Sequence, residues 1–440
     1  MPPSNVSNKV SNPARWPAPL PPLHLGRQVA VPVDIERLQA SVRFDVASRL
    51  ATAAARVELT VEGGGLPVFD LRQDVRSARW DGAALAPTAL APRDIGAGEG
   101  ATVRVVEVPC AAGSRHTLEL DYQLRAPESP GAVPVHWKEE GVGWDFWMSD
   151  LEPGRYLEMW FPANLCHDRF AFELEVEVVG ARRPHVLIAN GAVEQSRPGT
   201  SWTVHFPPTF TSLSPLLVLA PADEVQVAIG STAIGGAPLQ IEVASFPEAS
   251  CDLANVLADC AAWLGYFSAR YGRWAHGERF LAVMWGLPRG MEYDGATTAC
   301  EAALEHEIFH SWFGRGVKPA RPCDGWIDEA MATWATASRR SGNARYSDQE
   351  LGLDEPPVLL CPPHPWSRYT PREAYPGGGR LLAGVAHLMG GAPRLRAALA
   401  DWHQMLAGSG ATTEDLAAHL GRWCGRDLSP WWDRYVYGQG

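Results

Sequence analysis

Apolar and polar residues alternate along most of the chain between about residues 24 and 229. Successive side chains of a strand point to opposite faces, so this period of two predicts half-buried β-strands. The clearest segments are Ala40–Leu50, Arg56–Val61, Thr102–Val108, Thr117–Tyr122 and Phe172–Val179. Turn signals such as Asn190-Gly191 separate strands, and no helical run lies between them. We therefore predict an N-terminal domain over residues 23–230, built as an antiparallel β saddle or sandwich.

After about residue 230 the apolar positions recur at helical spacing. Two further strands are predicted at Leu239–Ser245 and Arg279–Trp285. Helices are predicted at Cys251–Tyr271, Thr298–Phe313, Ile327–Arg340, Leu381–Met389, Ala397–Leu406 and Thr413–Trp423. The fold class expected from these patterns is multidomain α+β, with a Pro-rich leader at residues 1–22, the β domain, and a mainly helical domain at residues 231–440.

Composition limits the kinds of binding partner and the cellular location that we expect for this protein. The net charge is −12, which argues against nucleic acid and anionic membranes, because both select a basic face. The N-terminus lacks the apolar stretch of a signal peptide, and no run of about 18 apolar residues occurs that would predict a membrane span. None of the eight cysteines forms a C-x-x-C pair. We expect a cytoplasmic protein with reduced thiols.

The segment Glu305–Trp312 reads E-H-E-I-F-H-S-W and contains the pattern H-E-x-x-H. Residues i and i+4 of a helix share one face, so His306 and His310 can place imidazole nitrogens on one metal ion. Glu307 follows the first histidine and can reach a metal-bound water without ligating the metal. The competing interpretation makes both histidines ordinary helix residues.

A catalytic zinc site normally uses three protein ligands and keeps one position for water. Glu329 follows His310 after 18 residues, and the glycines and prolines between them suit a loop joining two helices. A helix–loop–helix of this length can return Glu329 to the two histidines. The sequence thus predicts one Zn²⁺ per chain, held by His306, His310 and Glu329.

These residues, in the run H-E-I-F-H-S-W-F-G…W-I-D-E-A, resemble the zinc-binding core of the M1 aminopeptidases, a gluzincin family. The segment 289–293 (R-G-M-E-Y) is similar to the family's G-A-M-E-N exopeptidase motif. Tyr375-Pro376-Gly377-Gly378 is similar to its Y-x-K-G segment, and 151–162 resembles its E-P-x-x-x-R…F-P segment. The resemblance implies a thermolysin-like catalytic domain in the second half of the chain.

The resemblance also implies roles for individual residues. Glu292 would bind the free α-amine of a peptide, with Glu152 as a second acidic contact and Gly290 and Met291 beside the substrate. Tyr375 would donate a hydrogen bond to the developing oxyanion, and Tyr369 is the competing tyrosine in the same stretch.

Three departures from the family bear on substrate preference: Arg289 and Tyr293 replace the first glycine and the asparagine of G-A-M-E-N, and Gly377 replaces the lysine of Y-x-K-G. About 110 residues follow Glu329, too few for the family's large C-terminal helical domain. We therefore expect an open cleft, or one closed by another subunit of a homo-oligomer.

The function predicted is a zinc aminopeptidase acting on peptides with a free N-terminus. Two alternatives remain open. One is a specialised processing peptidase or other hydrolase with an open cleft, and the other is a catalytically silent module that binds peptide termini.

Overall fold

A computed structural model places residues 20–98, 100–125, 134–164, 168–340, 348–367 and 370–440, apart from the side chains of 337–340. Of the predicted leader, residues 1–19 lie outside this described part. In the described residues before 222, the chain forms seventeen strands. They are β1 (Leu23–Leu25), β2 (Gln28–Val31), β3 (Val33–Asp45), β4 (Leu50–Val61), β5 (Leu66–Phe69), β6 (Asp74–Trp80), β7 (Ala83–Leu85), β8 (Arg93–Asp94), β9 (Thr102–Val105), β10 (Arg115–Gln123), β11 (Val135–Trp137), β12 (Val142–Asp145), β13 (Ala171–Val179), β14 (His185–Ala189), β15 (Ala192–Arg197), β16 (Ser201–Phe206) and β17 (Leu217–Pro221).

Alternating burial confirms the strand predictions in this half. In β4, every second side chain is buried and those between are partly or fully exposed. Two predictions need correction. The strand predicted at Thr102–Val108 ends at Val105, and its burial does not alternate. Ala40–Leu50 is not a single strand, because β3 ends at Asp45 and β4 begins at Leu50. The turn between them places Arg49 at a φ of 51°, a left-handed conformation that interrupts extended backbone.

These strands form three sheets, with the orders β1-β2-β5-β9-β8, β15-β16-β13-β3-β4-β10-β6-β7 and β11-β12-β17-β14. The eight-stranded sheet is antiparallel except for β13 and β3, which pair in parallel. The prediction of purely antiparallel structure is wrong for that pair and for β2 and β5. The eight- and four-stranded sheets share one apolar core, in which the rings of Phe44 and Trp144 lie 5.3 Å apart.

The second half begins with a mixed five-stranded sheet in the order β18-β19-β20-β22-β21. Its strands are β18 (Gln226–Ile234), β19 (Ala237–Ser245), β20 (Arg279–Met284), β21 (Met291–Tyr293) and β22 (Ala296–Ala299), and a separate pair is formed by β23 (Val317–Pro319) and β24 (Ser409–Ala411). The predicted domain boundary after residue 230 falls within β18. The short strand β21 forms one edge of the sheet, paired antiparallel with β22.

The described part of this half also contains seven α-helices. They are α1 (Leu253–Tyr271), α2 (Leu304–Phe309), α3 (Trp326–Arg340), α4 (Pro376–Met389), α5 (Ala392–Leu406), α6 (Thr413–Cys424) and α7 (Ser429–Tyr435). Helix α2 is much shorter than the predicted helix Thr298–Phe313. The first residues of that prediction belong to β22, which pairs in parallel with the buried strand β20, and Gly314 at a φ of 113° follows the helix. Parallel pairing therefore overrides the helical spacing of the apolar residues.

Helices α3 and α4 approach each other closely at a glycine. A Cβ atom on Gly378 would lie 2.5 Å from the Cβ of Ala330, so only glycine permits this packing. The contact sets Tyr375, which directly precedes α4, against the first turn of α3.

Helices and one mixed sheet therefore build the second half together. The description of this half as mainly helical is not confirmed, since its described residues form seven strands as well as seven helices. Among the described helices, none has both the length and the apolar character needed to cross a bilayer.

Candidate active site

The two histidines of H-E-x-x-H lie side by side at the end of α2. Their ring centroids are 4.8 Å apart. His310 is fully buried. Its Nδ1 lies 3.1 Å from the carbonyl oxygen of Phe313 and can donate a hydrogen bond to it. Its Nε2 is buried with no hydrogen-bond partner in the described part of the chain. A ring held through one nitrogen, with the other nitrogen unpaired, is the arrangement of a metal-ligating histidine.

Glu329 reaches both histidines from the first turn of α3. Its Oε2 lies 3.0 Å from His306 Nε2 and 3.6 Å from His310 Nε2. Three atoms placed 2.0–2.1 Å from a tetrahedral zinc ion are about 3.3 Å apart, and the observed distances lie on either side of that value. His306, His310 and Glu329 therefore fit one zinc ion, and the structure brings together all three residues predicted as ligands.

Glu307 lies next to this cluster with its side chain buried. Burial raises its pKa well above the ordinary value; the nearby charge of Glu292 adds to the rise, and His310 opposes it. Gly290 packs against the Glu307 carboxyl, since a Cβ there would come within 2.4 Å of it. A carboxylate with a raised pKa, held against backbone, is suited to accept and return a proton.

Tyr375 completes the cluster from the start of α4. Its hydroxyl donates a hydrogen bond of 2.7 Å to Glu329 Oε1, and its ring stacks on that of His306. Burial, reinforced by the negative charge of Glu329, raises the pKa of the phenol well above its ordinary value. The hydroxyl therefore keeps its proton and remains a hydrogen-bond donor. Tyr369, the competing tyrosine, lies outside the described residues.

Two carboxylates, Glu292 and Asp150, line the cleft beside the three candidate metal ligands. Glu292 lies on the edge strand β21, and Asp150 follows β12 in the first half of the chain. Both are buried and lie close to Glu329, so one small cation could contact all three. Burial raises the pKa of Asp150 well above its ordinary value. The negative charge of Glu292 adds to this rise, and the positive charge of Arg315 opposes it.

The other predicted acidic contact, Glu152, is placed differently. Its side chain is 51% exposed and its carboxylate lies 2.9 Å from Arg155 Nε, although it lines the same cleft. The geometry therefore gives the second acidic position near Glu292 to Asp150 rather than to Glu152. Sequence reasoning missed Asp150, although it stands two residues before the recognised E-P pair.

Arg315 is a second residue that sequence reasoning missed. It is fully buried, with Nη2 3.0 Å from Glu292 Oε1 and 3.9 Å from Asp150 Oδ1. A charged residue between Gly314 and Gly316, directly after the histidine helix, was the available signal. Because its partners are distant in sequence, only the fold reveals them.

These groups line one cleft of about 820 Å³ between the two halves of the chain. Its walls include 148–152 from the first half, the segment from Pro288 to Glu292 with its Gly290 and Met291, and residues of α2, α3 and α4. Clefts of this size between structural units are common ligand sites.

No sequence-family model matches the chain, and comparison with curated protein sequences finds no match. Solved structures do match. A mutant M1 zinc metallopeptidase from Deinococcus radiodurans, bound to the substrate Tyr-Ser-Ala, has a TM-score of 0.64 at 17% identity, with 94% of this chain and 95% of that chain covered.

A second match is aminopeptidase A of Legionella pneumophila in complex with aspartic acid. Its TM-score is 0.65 at 14% identity, with 92% of this chain and 49% of that chain covered. The structural likeness extends over nearly the whole chain and agrees with the resemblance found in the sequence. The chain therefore has the fold of the M1 zinc metallopeptidases.

Proposed function

We propose that this protein is a zinc-dependent aminopeptidase, which removes N-terminal residues from peptides by attack of water. The observation that carries the proposal is the convergence of His306, His310 and Glu329, with Glu307 beside them and two further carboxylates in the same cleft. The structural neighbours that bind a peptide or an amino acid support it at the level of fold.

His306, His310 and Glu329 would hold the zinc ion, which acts as a Lewis acid towards a carbonyl oxygen and lowers the pKa of water. Glu307 takes the proton from the attacking water and returns it to the leaving amine. The raised pKa of Glu307 makes its carboxylate a stronger base than an ordinary glutamate, which favours removal of the water proton.

Tyr375 supplies a hydrogen bond to the oxygen that becomes negative in the transition state. Its hydroxyl donates a hydrogen bond to Glu329. This bond must break before the hydroxyl can donate to the substrate oxygen instead. Since its pKa is raised, the phenol brings a hydrogen bond rather than a charge, which suits an oxyanion.

Glu292 and Asp150 bind the ammonium group of the N-terminal residue. A buried ammonium needs carboxylate partners, and both side chains lie close to Glu329. Arg315 holds Glu292 in place and offsets part of the negative charge. Fixing the amine at this distance from the metal ligands restricts cleavage to the first peptide bond.

The division of the chain into a β domain at 23–230 and a thermolysin-like domain at 231–440 is part of the same proposal. The cleft supports it, since Asp150 enters from the first half while the metal ligands belong to the second.

The test is a Glu307→Gln variant assayed with leucyl aminomethylcoumarin. We expect kcat to fall by about 10²–10⁴-fold, the range of general acid–base catalysis, while stoichiometric zinc is retained. Glu301→Gln, an exposed glutamate before α2, is the matched control and should keep full activity. Undiminished hydrolysis by Glu307→Gln would exclude Glu307 as the base.

A second assay separates the aminopeptidase from a processing peptidase. We expect an N-acetylated peptide to be cleaved far more slowly than the same peptide with a free amine, because it cannot pair with Glu292 and Asp150. Equal rates would favour the processing peptidase. Zinc binding without any hydrolysis would favour the binding module.

A further inference from the structure

Arg289 is a cation that lines the cleft and that the proposed chemistry does not use. Within the described part of the chain, its guanidinium has no hydrogen bond to a side chain and no carboxylate oxygen within 4.0 Å, and the charges of Asp145 and Glu152 act on it only from a greater distance. The other buried cations near the cleft are paired, Arg315 with Glu292 and Lys318 with Asp294.

The guanidinium of Arg289 is held in a defined position. Its central carbon lies 3.4 Å from the centroid of the Trp147 ring, and Trp147 in turn contacts Trp285 edge-on. Stacking on an aromatic face leaves the N–H groups in the guanidinium plane available for an anion. A planar, preorganised guanidinium without an acceptor is a suitable partner for a carboxylate.

The order of residues along this segment places Arg289 relative to the reaction. Gly290 contacts the carboxyl of Glu307, the proposed base, and Glu292 lies two residues beyond it on the amine-binding side. Arg289 is on the opposite side of Gly290. A peptide with its amine at Glu292 and its first peptide bond beside Glu307 therefore extends its leaving portion towards Arg289.

Three residues of fully extended backbone span roughly 10 Å, so the α-carbons of Arg289 and Glu292 are no further apart than that. By the same rise, the amine and the terminal carboxylate of a dipeptide or tripeptide are separated by roughly 6–10 Å. A short peptide is therefore long enough to contact the acidic pair at one end and Arg289 at the other.

We propose that Arg289 binds a substrate carboxylate on the leaving side of the scissile bond, so that the enzyme selects short peptides. This inference rests on the proposed aminopeptidase function and adds its substrate class. The carboxylate is either the free C-terminus of a dipeptide or tripeptide, or an acidic side chain on the first leaving residue.

The test measures peptide binding in the Glu307→Gln background, where no turnover interferes. Dissociation constants are compared for Leu-Gly-Gly and its C-terminal amide, and for Leu-Asp-amide and Leu-Asn-amide. We expect about tenfold tighter binding of one or both carboxylate-bearing peptides, a preference that Arg289→Gln abolishes and Arg289→Lys partly restores. Arg372→Gln, which removes an exposed cation of the same cleft, should leave the preference unchanged.

Equal affinity for acids and amides, or a preference that survives Arg289→Gln, would overturn the proposal. A preference for Asp-Leu-amide over Asn-Leu-amide that Arg289→Gln abolishes would also overturn it, because Arg289 would then contact the side chain before the scissile bond. Turnover of leucyl aminomethylcoumarin is followed separately in the parent and in the control variant Arg372→Gln, and the two should agree within about threefold. No turnover by either protein, with the binding preference intact, would defeat the aminopeptidase proposal and leave the carboxylate site standing.

Discussion

Tyr375 shows how a single side chain acquires its chemistry from its surroundings. Its hydroxyl contacts Glu329, and both burial and that carboxylate disfavour loss of the phenolic proton. The residue is therefore a donor at any pH at which the protein is folded and active, and it lies against the proposed metal ligands without being one of them.

We expect Tyr375→Phe to lower kcat by about 10²–10³-fold with little change in KM, as removal of one oxyanion donor does in other hydrolases. Zinc content, measured by metal analysis, should stay at the parental value. Tyr437→Phe is the control, since that hydroxyl lies near Glu414 and outside the cleft. Parental kcat in Tyr375→Phe would exclude the proposed role.

The buried residue Asp145 is expected to make the stability of the fold depend on pH. Burial raises its pKa to about 7, with Arg289 opposing the rise. The folded protein thus holds this proton more tightly than the unfolded chain, whose aspartate titrates near 3.9, so Asp145 lowers stability increasingly as the pH rises from about 4 to 7.

Asp145→Asn should remove this dependence and stabilise the protein at pH 8 by up to a few kcal/mol, with no gain at pH 4. Urea unfolding of both proteins at the two pH values measures it. A gain that is equal at both pH values would show that ionisation of Asp145 is not its source.

At the scale of elements, buried ion pairs connect the edge strand β21 and the residue after it to the segment that follows α2 and includes β23. Lys318 Nζ lies 2.7 Å from Asp294 Oδ2, just beyond β21, and Arg315 binds Glu292 within it. These pairs position the amine-binding strand relative to the metal-binding helix. A buried pair matters most when one partner is removed, because the other charge is then left without compensation.

Lys318→Met should therefore lower the free energy of unfolding by about 3–5 kcal/mol. The matched change is Lys138→Met, which breaks a partly exposed pair with Glu224 and should cost below about 1 kcal/mol. Denaturant unfolding of both variants gives the comparison. Similar small costs would mean that the Lys318–Asp294 pair does not hold the two elements together.

At the scale of the whole molecule, the proposed zinc site joins helices α2 and α3 through ligands, His310 and Glu329, that are separated by 18 residues of sequence. A metal that binds the folded protein and not the unfolded chain stabilises it by mass action, by about 4 kcal/mol at a free concentration of 1,000 Kd. Zinc should therefore act as a structural link as well as a catalytic group.

Stripping the metal with a chelator should lower Tm by several degrees, and added zinc should restore it. His310→Ala should show no such zinc-dependent difference, whereas His24→Ala, at an exposed position in β1, should keep it. Calorimetry of each protein with and without zinc provides the measurement. An undiminished zinc effect in His310→Ala would place the metal elsewhere.

Prediction from sequence succeeded where the determining interactions are local. The spacing of His306 and His310 follows from the helical repeat, and the period of two identified strands such as β4 and β13. It failed at Thr298–Phe313, where helical spacing of apolar residues competed with a parallel partner strand. Local patterns carry no information about that partner, which lies in a different part of the chain.

The sequence by itself determined which residue types are available for the chemistry, the helical spacing of the histidines and the alternation that builds the first half, because each depends on neighbouring residues only. Contacts between distant segments place Asp150 rather than Glu152 beside Glu292 and pair Arg315 with Glu292, and in the described structure no carboxylate lies within 4.0 Å of the Arg289 guanidinium. These outcomes depend on burial and on contacts between segments far apart in the chain, which only the folded backbone brings together.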